Sequence, residues 1–264
     1  FKRQREEIVF NVLLVGDACT DIYHYGYCNR LSPEAPVPVL KHNHTETRDG
    51  MCLNVRNNLI AFNISVKSLT NKKIIRKERF VDLKTKQHLL RTDFGENLRL
   101  KPCTKSQLER IKFSDLDAVV ISDYNKGFID DNNIKIILSK AKKNNVNVFV
   151  DSKKNDLSIF ENCIIKINQI EYKKAIKFPK QYELIVTAGE EGALWNDKIF
   201  PTQRCDVFDV CGAGDTFMAA LVFEYLQTRS FEKSIKFANK CARLVVQKFG
   251  TYTLTKEDVN DLRV

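Results

Sequence analysis

The stretch Asp209-Val-Cys-Gly-Ala-Gly-Asp-Thr-Phe217, running into an apolar segment that ends near Gln227, decides how this chain folds and what chemistry it can hold. Gly212 and Gly214 let the backbone turn tightly and let an anion approach the amide N–H groups. The apolar segment predicts a helix over 212–227 whose N-terminus points at the same spot. Amides and dipole then form an anion hole at Gly212, Ala213 and Gly214. Asp215 falls in the first turn beside that hole. A carboxylate there can take the proton of an attacking hydroxyl while the amides hold a phosphoryl group in transfer. An aspartate in that place is also an ordinary acidic helix cap, so these residues alone leave both readings open.

Working outward, strands alternate with helices. Residues 9–16, 117–122, 146–151, 163–167 and 183–187 are short apolar runs that read as buried strands. Residues 54–62, 131–144, 169–176 and 231–248 carry helical patterns. This order predicts an α/β fold with a doubly wound, mostly parallel sheet. Two regions break the pattern. Asp21 to Lys41 alternates Tyr23, Tyr25 and Tyr27 and then meets Pro33, Pro36 and Pro38, which demote it to edge strands. Glu78 to Asp93 alternates around the polar break Lys84-Thr-Lys86. Segments of about 21–47 and 77–94 are expected to form a small antiparallel β lid inserted in one domain covering 1–264. Its free edge and apolar alternation predict pairing of two copies through the lid.

A chain of 264 residues with 43% hydrophobic content can bury one large core. No apolar run is long enough to span a bilayer. The opening Phe1-Lys-Arg-Gln-Arg-Glu-Glu7 is too charged for a signal peptide. Because residue 1 is phenylalanine, a trimmed organellar address stays open. The net charge is +10, but the lysines are scattered, with no basic helix or arm interleaved with aromatics. A solvated surface is expected in preference to a nucleic-acid partner. The eight cysteines include no Cys-x-x-Cys and sit mostly in apolar patterns, so free thiols in a cytoplasmic or other reducing compartment are expected. His42-Asn-His44 places two imidazoles on one side of a strand, without a third metal ligand nearby.

The run from Asp209 to Phe217, with Phe237-Ala-Asn239 in the next helix, resembles the C-terminal signature of the ribokinase/PfkB carbohydrate kinases. Val15-Gly-Asp17, Gly50 with Asn54, Asn168-Gln-Ile-Glu171 and Thr187-Ala-Gly-Glu-Glu-Gly192 fall in that family's order. Four runs make the resemblance strongest to its heptose-7-phosphate kinases: Arg30-Leu-Ser-Pro-Glu-Ala-Pro-Val-Pro-Val39, Leu90-Arg-Thr-Asp93, Ile121-Ser-Asp-Tyr-Asn-Lys-Gly127 and Asp151-Ser-Lys153. The resemblance implies ATP-dependent phosphorylation of a sugar or sugar-phosphate hydroxyl, with Asp215 as base. It implies that Asp21, Gly50 and Asn54 hold the sugar, and that Arg91 and Lys153 meet a phosphate already on it. Thr187, Gly189, Gly192 and Asn239 would hold ATP, and Asn168 and Glu171 would act on Mg²⁺ through water.

Two departures from the family pattern bear on activity. Met51 stands where the family has the second glycine of its substrate motif. After Phe62 the chain reaches Lys77-Glu-Arg almost at once, so about one βα unit, on the order of 30 residues, is expected to be absent. These departures keep a second expectation alive, a catalytically degenerate fold serving as a structural subunit of a larger assembly.

Overall fold

The computed structural model describes residues 9–72 and 74–263; the charged opening of the chain lies outside them. The chain begins with β1 (Asn11–Gly16), β2 (Ala18–Tyr27), β3 (Lys41–Met51), α1 (Cys52–Ala61), β4 (Ser65–Thr70), β5 (Ile75–Asp82) and β6 (His88–Phe94). It continues with α2 (Lys105–Glu109), β7 (Ala118–Asp123), α3 (Asp131–Lys143), β8 (Asn147–Ser152), β9 (Cys163–Asn168), α4 (Gln169–Lys174) and β10 (Tyr182–Thr187). A hairpin, β11 (Ala193–Trp195) and β12 (Lys198–Phe200), precedes α5 (Ala213–Thr228), α6 (Phe231–Val246) and α7 (Lys256–Arg263).

Eight strands form the main sheet in the order β12-β11-β10-β9-β8-β7-β1-β4. Every pair from β4 to β10 is parallel, and the hairpin adds the antiparallel pairs. The apolar runs are continuous because both faces are covered. Val12, Leu14, Ala118 and Val120 pack toward α1, α5 and α6, while Leu13, Val15, Val119 and Ile121 face the opposite core. Helix α5 lies between the sheet and its neighbouring helices, so it is apolar nearly all round, from Thr216 to Phe223.

The lid has the order β3-β2-β5-β6. Its outer pairs are antiparallel, as expected, but the central pair β2·β5 is parallel. Between β2 and β5 the chain makes a full crossover through β3, α1 and β4, which returns β5 in the direction of β2. The proline-rich run is not edge strand. Residues 28–40 leave the sheet except for one bridge, Leu31 to Pro38, because successive prolines lack ladder donors. The two imidazoles also part company. A bulge between Tyr25 and Gly26 sets His44 opposite Tyr25 and His42 opposite Gly26. His44 stacks on Tyr25 at 4.8 Å, while His42 lies 6.3 Å from His24 on the other face. One extra residue in a strand turns its neighbours over.

The expected gap after Phe62 is smaller than the sequence suggested. Strand β4 is present and pairs with β1 along its length. It escapes a sequence reading because Ser65-Val-Lys-Ser-Leu-Thr70 has only two apolar residues and no period of two. Four residues, 71–74, then lead straight into the lid, so the helix of that unit is what is missing. Among the described residues no strand flanks β4 on its outer side. Its exposed Lys67 guards that edge against pairing.

Candidate active site

The site lies at the carboxyl ends of the parallel strands, where Asp123, Asn168 and Thr187 close β7, β9 and β10 and Asp151 is the next-to-last residue of β8. Asp215 enters from the first turn of α5 and is 7% exposed. Its Oδ2 accepts a hydrogen bond from Asn54 Nδ2 at 2.9 Å, and its Oδ1 accepts one from the Tyr124 hydroxyl at 3.0 Å. Burial pushes its pKa up to about 6 and neighbouring Asp151 adds to the rise, whereas the Asn54 bond, Lys166 and the Tyr124 bond pull it down. Burial and the adjacent Asp215 push the Tyr124 hydroxyl well up, so it stays a donor. A carboxyl that titrates above the ordinary carboxylate range is the outcome.

Gly212 caps α5 with φ +82°, a left-handed conformation that favours glycine. The Asp209 carboxylate braces the preceding turn, its Oδ1 accepting from Cys211 N–H at 2.9 Å and its Oδ2 from Gly250 N–H at 3.1 Å. Beneath Gly214 lies Lys166, 3.2 Å from the Gly214 carbonyl oxygen and ion-paired with Asp151. Burial opposes its charge, but Asp151 outweighs that and raises its pKa.

Two clefts meet here. A polar one of about 290 Å³ is lined by Asp215, Gly212, Gly214, Lys153, Asn168 and Glu171, among others. An apolar one of about 310 Å³ has Val207, Val210, Phe217, Ala242 and Val246 in its walls. The four positions expected to hold the nucleotide, Thr187, Gly189, Gly192 and Asn239, all line the apolar cleft. Thr187, Gly189 and Gly214 belong to both. An apolar slot opening into a polar, amide-lined one suits a base joined to a phosphate chain. Asn239 Nδ2 donates to the Phe200 carbonyl at 2.7 Å, fastening α6 to the hairpin beside the slot.

Asn168 and Glu171 form a capping box on α4, each side chain accepting from the other's backbone N–H at 2.9 Å. Oxygen donors of this kind fit Mg²⁺, and the box engages one oxygen of each side chain, which favours contact through water. Burial and then Asp151 raise the pKa of Glu171. Lys153 sits with its Nζ 4.2 Å from the Tyr124 ring centroid, and Lys77 of the lid reaches the same ring at 6.0 Å. Burial, then Lys77, lowers the pKa of Lys153.

Other positions fall differently from expectation. Asn54 is fully buried and holds Asp215 in place, with Asn58 Nδ2 donating to its Oδ1 at 3.3 Å. Asp21 is engaged by Arg79 at 2.6 Å, a buried ion pair on the inner face of the lid. Gly50 is required by that pair, since a Cβ there would come within 2.2 Å of Asp21 Oδ2. Arg91 forms a bidentate pair with Asp93, both bonds 2.7 Å, and lines neither cleft. Met51 has φ 55° and ψ −132°, a region held by glycine at little cost and by other residues at about 1–3 kcal/mol. Its buried side chain packs into the core with Val15 and Ile75 and so fills no part of either cleft. The functional residues that sequence reasoning missed are Tyr124, Asp151, Lys166 and Arg79. Lys166 had a signal, a lone charge inside the apolar run Cys163–Ile167.

Residues 165–258 match the pfkB family of carbohydrate kinases. The chain is also similar to longer proteins along most of its own length. It is 33% identical over 301 residues to the bifunctional protein HldE of Haemophilus influenzae (strain PittEE), covering 95% of this chain and 63% of that protein. It is 33% identical over 304 residues to HldE of Campylobacter concisus (strain 13826), covering 95% and 64%. The chain thus spans somewhat under two thirds of these relatives. Both alignments are longer than the chain's 264 residues, so the relatives carry residues it lacks. Phosphofructokinase-2 from Escherichia coli, solved with potassium, shares the fold with a TM-score of 0.72 at 15% identity, covering 97% of this chain and 98% of that one. Ribokinase from Arabidopsis thaliana, solved with ribose and ATP, gives 0.67 at 16%, covering 97% and 99%. The fold is ribokinase-like, and Asp215, the Gly212–Gly214 turn, Thr187 and Asn239 all fall within the stretch that matches the pfkB family.

Proposed function

We propose that this chain transfers the terminal phosphoryl group of ATP to a hydroxyl of a sugar or sugar phosphate, with a heptose 7-phosphate-like acceptor favoured. The observation that carries the reading is Asp215, buried, held at both oxygens, and placed at the junction of the two clefts. The base of ATP occupies the apolar cleft and the phosphates run past Thr187 and Gly189. Mg²⁺, when bound near Asn168 and Glu171 through water, neutralises phosphate charge. Asp215 takes the proton of the acceptor hydroxyl, and the amides at Gly212 and Gly214 hold the negative charge on the transferring group; the Ala213 N–H, expected to join them, instead donates to the Val210 carbonyl at 3.3 Å and closes the turn. Lys153, with Lys77, offers a positive rim for a phosphate already on the acceptor. The complete set of Asp215, Asn54, Tyr124 and Lys166 supports an enzyme over a structural subunit. Eight unpaired thiols support a reducing compartment.

ADP release by the purified chain, measured with heptose phosphates, fructose phosphates, ribose and nucleosides, tests the reading. Turnover on at least one sugar or sugar phosphate is expected; a folded, ATP-binding chain that phosphorylates none of them overturns it. The pH profile follows from the raised pKa of Asp215. Below about 6 the carboxyl is protonated and cannot accept a proton, so kcat/KM should rise with pH through an acidic limb centred near 6. A limb near the ordinary carboxylate value of about 4 would show that burial does not govern the titration of the essential base.

We further propose that two copies pair through the lid. Its outer strands have free edges among the described residues, and Leu31, Val37 and Leu90 are exposed there. Light scattering at micromolar concentration should report a dimer; a monomer removes the proposal.

A further inference from the structure

Strand β9 reads Cys-Ile-Ile-Lys-Ile-Asn168. Its lysine is 3% exposed in a strand whose other interior residues are apolar. Burying an ammonium costs several kcal/mol even when it is paired, and a Leu or Ile would suit a central strand better. Packing alone therefore does not explain Lys166. Its contacts do. It is ion-paired with Asp151 of β8, and its Nζ lies 3.2 Å from the Gly214 carbonyl in the first turn of α5. A Cβ on Gly214 would stand only 3.2 Å from Nζ, so the ammonium is tucked directly against that turn. One side chain joins two neighbouring strand ends to the segment that carries Asp215.

We propose that Lys166 is a positioning residue for phosphoryl transfer, fixing the Gly212–Asp215 turn through the Gly214 carbonyl and setting its charge against the segment that carries Asp215. This rests on the reading of the site as a phosphotransferase. The tie to Gly214 sets the turn against the sheet, so the amides of the anion hole and the base keep a fixed separation. Lys166 and Asp151 also line the polar cleft, so the charge acts on Asp215 from its wall.

The groups around Asp215 can be named. Asn54 and Tyr124 donate to it, Lys166 and Lys153 are the cations near it, and Asp151 is the anion that opposes Lys166. Glu171 lines the same cleft, and the thiols of Cys19 and Cys52 lie within its field. Lys166 and Asp151 therefore pull the Asp215 equilibrium in opposite directions, and removing each should have opposite effects.

Carbon-13 NMR of aspartate-labelled protein follows the Asp215 carboxyl directly and needs no substrate, with Asp215→Asn providing the assignment. Lys166→Met should raise its titration midpoint by about one pH unit or more. Lys166→Arg should leave it near the wild-type value, and Asp151→Asn should lower it. The double variant Lys166→Met with Asp151→Asn leaves no buried unpaired charge and guards against a single variant that fails to fold. Its midpoint should return toward wild type while turnover stays down by at least ~10-fold, because the tie to Gly214 is lost. An unchanged midpoint in Lys166→Met, or shifts of the same sign in Lys166→Met and Asp151→Asn, overturns the inference. Wild-type turnover in the double variant overturns the positioning half of it. Should the shifts appear in a protein that phosphorylates no sugar, the coupling stands and the kinase reading is what fails.

Discussion

Asp215→Asn should cut turnover by at least ~10²-fold, the scale of a lost general base, while leaving ATP binding nearly intact. Asparagine keeps the size of the side chain and loses the charge that accepts a proton. The local cost is small and can be traced. Asn54 and Tyr124 each donate to one Asp215 oxygen. An amide has one oxygen, so one of these donors is left facing an N–H group. An unsatisfied buried donor costs about 1–3 kcal/mol. Against that, the wild-type carboxylate is itself disfavoured by burial. Its folded-state pKa lies above the ordinary value, so the folded state binds a proton more tightly than the unfolded one. Stability falls as pH rises through that window, and a neutral amide removes this dependence. Thermal melts at pH 8 should therefore differ little between variant and wild type, while ADP release with an accepted sugar drops. Near-normal turnover would remove Asp215 from the mechanism.

Gly212→Ala should be as damaging to turnover, by a different route. The backbone at Gly212 has φ +82°, and an added Cβ would lie 2.6 Å from Asn54 Nδ2 and 3.1 Å from Thr251 Cγ2. Neither neighbour can yield. Asn54 is fully buried and bonded to Asp215, and Thr251 is locked to the Tyr23 hydroxyl at 2.8 Å. Pushing Asn54 away breaks the bond that orients the base. The expected result is a turnover loss of at least ~10²-fold and a stability loss of about 1–3 kcal/mol from the backbone alone, read by ADP release and by denaturant titration. The two glycines of the loop were expected to share one task, and the structure divides it. Gly214 is inside α5, and a Cβ there would meet only the end of the Lys166 side chain at 3.2 Å. Gly214→Ala should therefore cost clearly less than Gly212→Ala. Equal losses in the two variants would mean that close approach of phosphate, and not the Asn54 contact, is what the loop glycines protect.

The parallel core and the Gly212–Asp215 turn were legible in the chain alone. Buried parallel strands are apolar on both faces and therefore visible as runs, and the anion hole is built from consecutive residues, Gly212 to Asp215, whose backbone geometry is written in the glycines. The same holds for Thr187 to Gly192, which follows a core strand directly. Where side chains distant in sequence meet became visible only in the folded chain. Asn54 faces Asp215 across 161 residues and Tyr124 across 91, so the residue expected to hold the sugar also donates to the Asp215 carboxyl. Asp21, expected to hold the sugar, is ion-paired with Arg79, which lies 58 residues away and reaches it only when β5 pairs with β2. Local pattern shows burial and turns, because those depend on neighbours in the chain; it is blind to which charges neutralise one another, because that depends on how strands are brought side by side. The parallel centre of the lid, the bulge that separates His42 from His44, and the lysine beneath the anion hole were settled at that level.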